Sequence, residues 1–260
     1  MKCLLCGSTN LTFYVGDLRD GAERQQDLLP LGMAVYQCGD CQLFNYAPRP
    51  TVEQLREYHG GNYFVCADPA QQTSYENYME DGHRQVKSSW GRWVITWFYR
   101  YDAQRSQPDK AVLDVGGATG FMLEGRKTFD RLNITRAVCV DISKFATQWG
   151  QQHVPGVEFH WGRLPEVELA GPFDYALFWD SLNHDPDPRA VLTRTYELLR
   201  PGGVAIIHTI DGNFAQPDWY YWSPHQHTCI FPRETLLRLF AECGFEFLKD
   251  RPSSQADEII

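Results

Sequence analysis

The chain has 260 residues, with 33 acidic and 24 basic side chains giving a net charge of −9, and 43% of its residues are apolar. That length suits one α/β domain with a small appendage, and the apolar fraction supports a sizeable core. An acidic chain with no run of Lys and Arg does not draw in a phosphate backbone through its overall field. No apolar run approaches the roughly 20 residues that cross a bilayer. The N-terminal MKCLLCGSTN also lacks the long apolar stretch of a secretory signal, so the sequence reads as cytoplasmic.

Four of the eight cysteines are paired as Cys3-x-x-Cys6 and Cys38-x-x-Cys41. Two such knuckles bring four thiolates to a tetrahedral zinc, and four Cys ligands close its coordination sphere, so the ion is structural. Residues 1–45 are therefore predicted to form a zinc ribbon, with short strands at LTFYV (11–15) and MAVYQ (33–37). So small a module has little core, and the metal supplies much of its folding energy. A redox role for one pair needs a thioredoxin-like βαβ around it, which is absent. Residues 1–60 carry five Lys and Arg against seven Asp and Glu, a poor footprint for RNA or DNA. The ribbon is read as a cap or a homodimerisation element. Cys139, in an apolar strand pattern, reads as a small buried hydrophobe.

A linker and helical cap is expected over residues 46–109. Thr51 is placed to N-cap a short helix with Glu53 and Gln54 in its first turn. Tyr58, His59, Tyr63 and Phe64 then gather around Gly60-Gly61. They can form an aromatic plug, or a lid over a small-molecule pocket with Tyr58, His59 or Tyr63 reaching in. Trp90, Trp93, Val94, Trp97, Phe98 and Tyr101 recur with helical spacing and predict a core-facing amphipathic helix.

From residue 110 to 260 the pattern alternates. AVLDVG (111–116) predicts a strand, then a glycine loop, then a helix ending near Asn133. Further strands are expected at AVCVDI (137–142), VEFHWG (157–162), FDYALFWD (173–180), VAIIHT (204–209) and FEFLKD (245–250). Ser143 should N-cap the helix after the second strand. Helices are expected at 187–199, closed by Pro-Gly-Gly, and at 233–244. This alternation predicts an α/β fold with a doubly wound, mostly parallel sheet, ligands binding at the carboxyl ends of its strands.

The loop VLDVGGATGF (112–121) does not fit a dinucleotide fingerprint. G-x-G-x-x-G counted from Gly116 requires glycine at 116, 118 and 121, where Gly, Ala and Phe stand. Asp114 sits just before the glycines and disfavours a phosphate. A ligand with a cationic end and no phosphate fits better, and S-adenosylmethionine is such a ligand. Asp114 would favour its ammonium, the glycines would let the backbone approach, Asp141 would take the ribose hydroxyls, and Ile142 would pack on the adenine.

VLDVGGATG resembles motif I of class I S-adenosylmethionine-dependent methyltransferases. FDYALFWDSLNHDPDPRAVLTRTYELLRPGGVAIIHT resembles their later block, so the likeness covers about 110–250. The resemblance implies a Rossmann-like core in which Gly116, Gly117, Ala118 and Gly120 line the cofactor and Asp141 binds ribose. It further implies that Asp180 and Ser181 floor the pocket, and that Gly162, Arg163 and Leu164 lie by the adenine. Ala118 replaces the family's middle glycine, which is tolerable where φ is negative.

The loop WDSLNHDPDP carries no N/D-P-P-Y tetrapeptide, which disfavours DNA base methylation. The ribbon, the bridge and the late segment WYYWSPHQHTCIFPRETL (219–236) together are similar to bacterial sugar and natural-product methyltransferases. The expectation is O- or C-methylation of a small molecule. A His serves as general base: His227 first, then His225, then His184. Tyr221 and Trp222, with Trp219 and Tyr220, would wall the acceptor pocket. The competing readings are a zinc-ribbon RNA methyltransferase and a non-catalytic scaffold that binds S-adenosylmethionine.

Overall fold

The structure, a computed structural model, describes residues 1–16, 33–59, 91–104, 106–124, 132–219, 221–222, 227–249 and 258–259. The chain divides into two compact units. One comprises Met1–Tyr58, Asp180–Thr193 and His208–Ile260; the other comprises His59–Trp179 and Arg194–Ile207. Among the described residues no helix is long and apolar enough to cross a membrane.

The first unit is built on a four-stranded antiparallel sheet in the order β1-β2-β3-β9. Its strands are β1 (Leu11–Val15), β2 (Ala34–Cys38), β3 (Phe44–Ala47) and β9 (Cys229–Ile230). The two ribbon strands thus form where the sequence places them. They are joined by β3, and β9 arrives from nearly two hundred residues further along the chain. Phe44 stands opposite Ile230, and Asn45 opposite Cys229. Met33, Val35, Phe44, Tyr46, Ile210, Trp222 and Ile230 bury their apolar surface in one cluster. Trp222 packs edge-on against Tyr14, Phe44 and Tyr46 there. Thr51 caps α1 (Val52–Glu57) in a full capping box with Gln54. The unit also holds α6 (Arg233–Glu242). Thr235 near the start of α6 donates to the Cys41 carbonyl at 2.6 Å.

The second unit holds the parallel strands β4 (Lys110–Val115), β5 (Ile134–Asp141), β6 (Val157–Trp161) and β7 (Phe173–Trp179). β4 pairs in parallel with both β5 and β7, and β5 with β6. Every residue of β4 is buried, as a central strand covered on both faces requires. The sheet order is β10-β8-β7-β4-β5-β6, so the winding reverses at β4. The carboxyl end of β4 is therefore the switch point, where ligands of such sheets bind. The helices are α2 (Gly91–Tyr101), α3 (Phe121–Glu124) and α4 (Lys144–His153). Val94 and Phe98 of α2 are fully buried in the core with Tyr175, Leu177 and Phe159, and Trp97 and Tyr101 pack against it; Trp90 and the Trp93 side chain lie outside the described residues. Cys139 lies in the same cluster, also fully buried. α5 (Pro188–Leu198) and β8 (Leu199–Ile210) run from one unit into the other.

Two expectations differ. Residues 245–249 form no strand: Phe247 and Leu248 are half exposed, and the edge of β8 pairs instead with β10 (Glu258–Ile259) at Thr209 and Ile210. An alternating hexapeptide becomes a strand only where a partner edge is open to it. Pro-Gly-Gly does not stand outside β8 but within its span, with Gly202 in the left-handed region (φ +75). The helix expected after the glycine loop begins at Phe121–Glu124; residues 125–131 lie outside the described residues, and Asn133 is a left-handed residue (φ +53) leading into β5.

The amino ends of the strands are tied by a buried charge network. Asp102, with no side-chain exposure, accepts from Lys110 Nζ at 2.6 Å, Arg200 Nη2 at 2.7 Å and Tyr175 Oη at 2.6 Å. Asp174 takes Arg200 Nε at 2.5 Å and the Ala111 amide at 2.8 Å. Burial alone would raise the Asp102 carboxyl, but the donors around it outweigh burial and hold it at about 2. Its stabilising contribution is present above the ordinary carboxylate range and is lost as pH falls toward 2. Asp102→Ala leaves buried Lys110 with only its longer 3.4 Å contact to Asp174. It is expected to cost about 3–5 kcal/mol in urea unfolding at pH 7.

Candidate functional site

The loop after β4 is shaped by what its glycines must avoid. A Cβ at Gly117 would lie 2.5 Å from the Asp114 carboxyl and 2.9 Å from Cys139 Sγ. One at Gly120 would meet the Phe159 ring at 2.6 Å, and Gly120 is left-handed as well (φ +74). Gly116 is left-handed (φ +71) where its amide donates to Val140. Ala118 corrects the sequence expectation. Its φ is +50, the left-handed region that disfavours a Cβ, rather than negative. Its methyl is held in a small apolar cluster with Ala146 of α4.

Asp141 fastens this loop. Its Oδ2 accepts the Ala118 amide at 2.8 Å, and its Oδ1 accepts the Ser143 amide at 2.7 Å. Ser143 in turn caps α4 by accepting from Ala146 at 3.1 Å. Each Asp141 oxygen retains a second acceptor lone pair. The Gly162 amide donates to the Asp141 carbonyl, and Trp161 Nε1 donates to the Ile142 carbonyl at 2.9 Å. Arg163 pairs with Glu166 at 2.9 Å.

Asp114 is the anomaly. It is 1% exposed, and neither carboxyl oxygen has a hydrogen-bond partner among the described residues. Burial, and then the neighbouring Asp141, push it up to about 8. Burial raises Asp141 to about 6 against the pull of its two amide donors. The native state therefore keeps protons that an unfolded chain sheds above about pH 4. These two groups make the protein less stable as pH climbs from there toward 8.

A second set of polar side chains lies in the first unit. Asp180, immediately after β7, is left-handed (φ +48). It bonds His208 twice: its amide donates to the His208 carbonyl, and its Oδ1 lies 2.9 Å from His208 Nδ1. Ser181 accepts the His184 amide. The His184 and His227 rings meet edge to face at 4.9 Å. His227 Nδ1 is 3.0 Å from the Tyr221 carbonyl, and burial pushes its imidazole down to about 4. Thr228 anchors the loop after β7, its amide bonding the Asn183 carbonyl and its hydroxyl the Asp185 carbonyl at 2.7 Å. Tyr221 rests on Trp219, and Tyr58 and His59 are buried after α1. His225, Tyr63 and Tyr220 lie outside the described residues. Sequence reasoning passed over His208 and Asn183. The available signal was an ionisable side chain closing the apolar run VAIIHT.

The four knuckle cysteines converge. Their sulfurs all lie within 4.8 Å of one another, with Cys3–Cys41 at 3.4 Å and Cys6–Cys38 at 3.6 Å. Four sulfurs around a zinc at about 2.3 Å would stand about 3.8 Å apart, so the cluster is close to tetrahedral spacing. Asn45 Nδ2 and the Cys41 amide point at the sulfurs of Cys3 and Cys38.

Residues 63–249 match the methyltransferase domain family, and the chain belongs to it. Among curated proteins it is similar to the ubiquinone biosynthesis O-methyltransferase of Acinetobacter baylyi, 28% identical over 158 residues, 58% of this chain and 61% of that protein. It is also similar to the one from Psychrobacter cryohalolentis, 31% identical over 163 residues, 60% of this chain and 59% of that protein. The chain thus spans about three fifths of the length of these relatives. Among solved structures, the plantazolicin methyltransferase BamL in complex with a substrate analogue and SAH aligns at TM-score 0.53 and 13% identity, over 74% of each chain. A SAM-dependent methyltransferase of Thermotoga maritima aligns at 0.51 and 20%, over 71% of this chain and 84% of that one. The [4+2]-cyclase SpnF aligns at 0.50 and 18%, over 64% and 61%. At these identities the shared property is the fold, and a cyclase among them shows that the fold alone does not fix the chemistry.

Gly117→Ala drives a methyl into the Asp114 carboxyl. It is expected to lower stability by about 1–3 kcal/mol in chemical denaturation. Ala118→Gly relieves left-handed strain of about 1–2 kcal/mol but loses a packed methyl worth about 0.8 kcal/mol, so its net effect should stay within about 1 kcal/mol.

Proposed function

We propose that the chain transfers a methyl group from S-adenosylmethionine to a hydroxyl of a small biosynthetic intermediate. The observation that carries this reading is Asp114. A buried carboxyl with no hydrogen-bond partner among the described residues, beside a glycine-rich loop, suits a ligand with a cationic end. It does not suit a phosphate. The family supports the donor, and the O-methyltransferases among its relatives support oxygen as the acceptor atom.

In this reading Asp114 faces the ammonium of the donor, and the backbone of Gly116, Gly117, Ala118 and Gly120 lies along it. Asp141 uses its second lone pairs for the ribose hydroxyls. Ile142, Gly162 and Arg163 border the adenine, and Asp180 and Ser181 lie below. When bound, the donor supplies an electrophilic methyl on a sulfonium, and transfer is an in-line displacement in which positioning supplies most of the rate. The acceptor hydroxyl must lose its proton. A histidine is the side chain suited to take it, and His227, His225 and His184 are the candidates. The four cysteines hold a structural zinc that fixes the β1–β2–β3 sheet.

Two measurements test this. Asp114 is protonated in the free protein at neutral pH, and a cationic ligand favours its ionised form. Binding at pH 7 should therefore release a proton, and affinity should rise up to about tenfold per pH unit toward pH 8. Above that it should fall as the ligand's own α-amino group, ordinarily near 7.7–8.0, loses its charge. Calorimetry in buffers of different ionisation enthalpy reads both effects, and Asp114→Asn should abolish the release. Absence of binding to the unaltered protein overturns the proposal. Elemental analysis should find one zinc per chain, lost in Cys38→Ser together with thermal stability.

A further inference from the structure

We infer that Asn45 and Arg49 set the zinc affinity of the four-cysteine centre without touching the metal. Asn45 ties the two knuckles into one site, and Arg49 supplies positive charge against the thiolates. This rests on the structural-zinc reading above and extends it beyond the four ligands.

Asn45 is an uncommon residue for its place. It stands in β3, where a short polar side chain packs poorly, and it is fully buried. A buried amide needs its hydrogen-bond partners, and this one has them on both atoms. Its Oδ1 accepts the Leu4 amide at 2.7 Å and Arg49 Nη2 at 3.3 Å. Its Nδ2 donates to the Leu43 carbonyl at 2.9 Å and lies 3.7 Å from Cys3 Sγ. Two N–H donors meeting Oδ1 fix the orientation of the amide, because the opposite one would set donor against donor. Leu4 lies between Cys3 and Cys6, and Leu43 follows Cys41. The Leu43 carbonyl also accepts the Cys38 amide at 2.9 Å, which closes the second knuckle. One side chain thus joins two knuckles that are distant in sequence, and less of their convergence is left for the metal to enforce. Its N–H also faces the sulfur of a ligand, where a donor stabilises the thiolate form that binds metal.

Arg49 brings the charge. Its Nη2 also donates to the Lys2 carbonyl, next to Cys3. Its Nε is buried with no hydrogen-bond partner, an arrangement that costs free energy unless an anion lies near. Burial lowers the basicity of the guanidinium, and the negative charges of Cys3 and then Cys229 pull it back up. Burial pushes the Cys229 thiol up to about 12, so it is neutral at pH 7. Cys3, ionised as a metal ligand, is the charge that remains. A zinc held by four thiolates carries an excess of about two negative charges. A guanidinium bonded to the amide that faces Cys3 offsets part of that excess, and it stays charged at any working pH.

The test uses the full chain. Zinc affinity at pH 7 is measured by competition with a chromogenic chelator, and thermal unfolding is followed with zinc bound and after chelation. The unaltered protein should hold one zinc. Arg49→Met, which keeps a long apolar stem, should weaken zinc binding about 10–100-fold, and Arg49→Lys should keep most of the affinity. Asn45→Asp keeps the shape but sets a second oxygen against Cys3 in place of the donor, and it should weaken binding at least as much. If Asn45→Asp does not fold, Asn45→Gln, which keeps the amide but displaces it, is read in its place with the same expectation. Cobalt in place of zinc should keep the absorption of a tetrahedral four-sulfur site in each variant, so that the loss is one of affinity and not of ligands. Arg49→Met should lower the melting temperature of the zinc-bound protein and leave that of the metal-free protein unchanged. Unchanged zinc affinity in the variants, or an equal loss of stability with and without zinc, overturns the inference. Arg49→Lys as weak as Arg49→Met overturns charge as the cause. Absence of zinc from the unaltered protein overturns the reading beneath it.

Discussion

Two amide hydrogen bonds to one buried carboxylate organise the methyltransferase-like unit. Asp141 receives Ala118 from the loop after β4 and Ser143 from the start of α4. Two neighbouring strand ends and one helix N-terminus are thereby joined at a single side chain. Hydrogen bonds to a charged acceptor are about twice as strong as neutral ones, and this acceptor is almost fully withdrawn from water. The loop accepts its costs around that joint. Ala118 stays left-handed, Gly117 lies against Asp114, and Asp114 stays buried with no hydrogen-bond partner among the described residues.

The opposite end of the same strands is managed in the other way. Asp102, Lys110, Asp174, Tyr175 and Arg200 bury two acids and two bases but pair all of them. Network and loop are both buried and ionisable, yet one lowers a carboxyl to about 2 and the other raises one to about 8. The difference is the number of donors each carboxyl receives. The same burial thus gives opposite protonation in two places, set by the donors at hand.

The first unit draws on three separated parts of the chain. The cysteine knuckles, the loop after β7 and the segment from His227 onward converge because β9 adds to β3, Thr235 caps the Cys41 carbonyl and Thr228 fastens Asn183 and Asp185. The residues beside the histidines thus share a sheet with the strands that carry Cys38 and Asn45. The sheet that carries the four-cysteine cluster gives the late segment, too short to fold alone, an edge to pair with.

Periodicity and local chemistry in the sequence determined the parallel strands, the buried stripe of α2, the caps at Thr51 and Ser143, the four cysteines and the glycine loop with its two acids. Each of these is set by neighbours within a few residues, so it is legible without the fold. Tertiary structure alone decided the rest. The strand expected at 245–249 is absent because β8's edge belongs to β10, a competition no local pattern encodes. The left-handed turn at Ala118 follows from where Asp141 sits, 23 residues further on. The pairing of Asp180, just after β7, with His208 of β8 joins side chains 28 residues apart. That His227 loses basicity depends on its burial, which exists only once distant segments have been brought together.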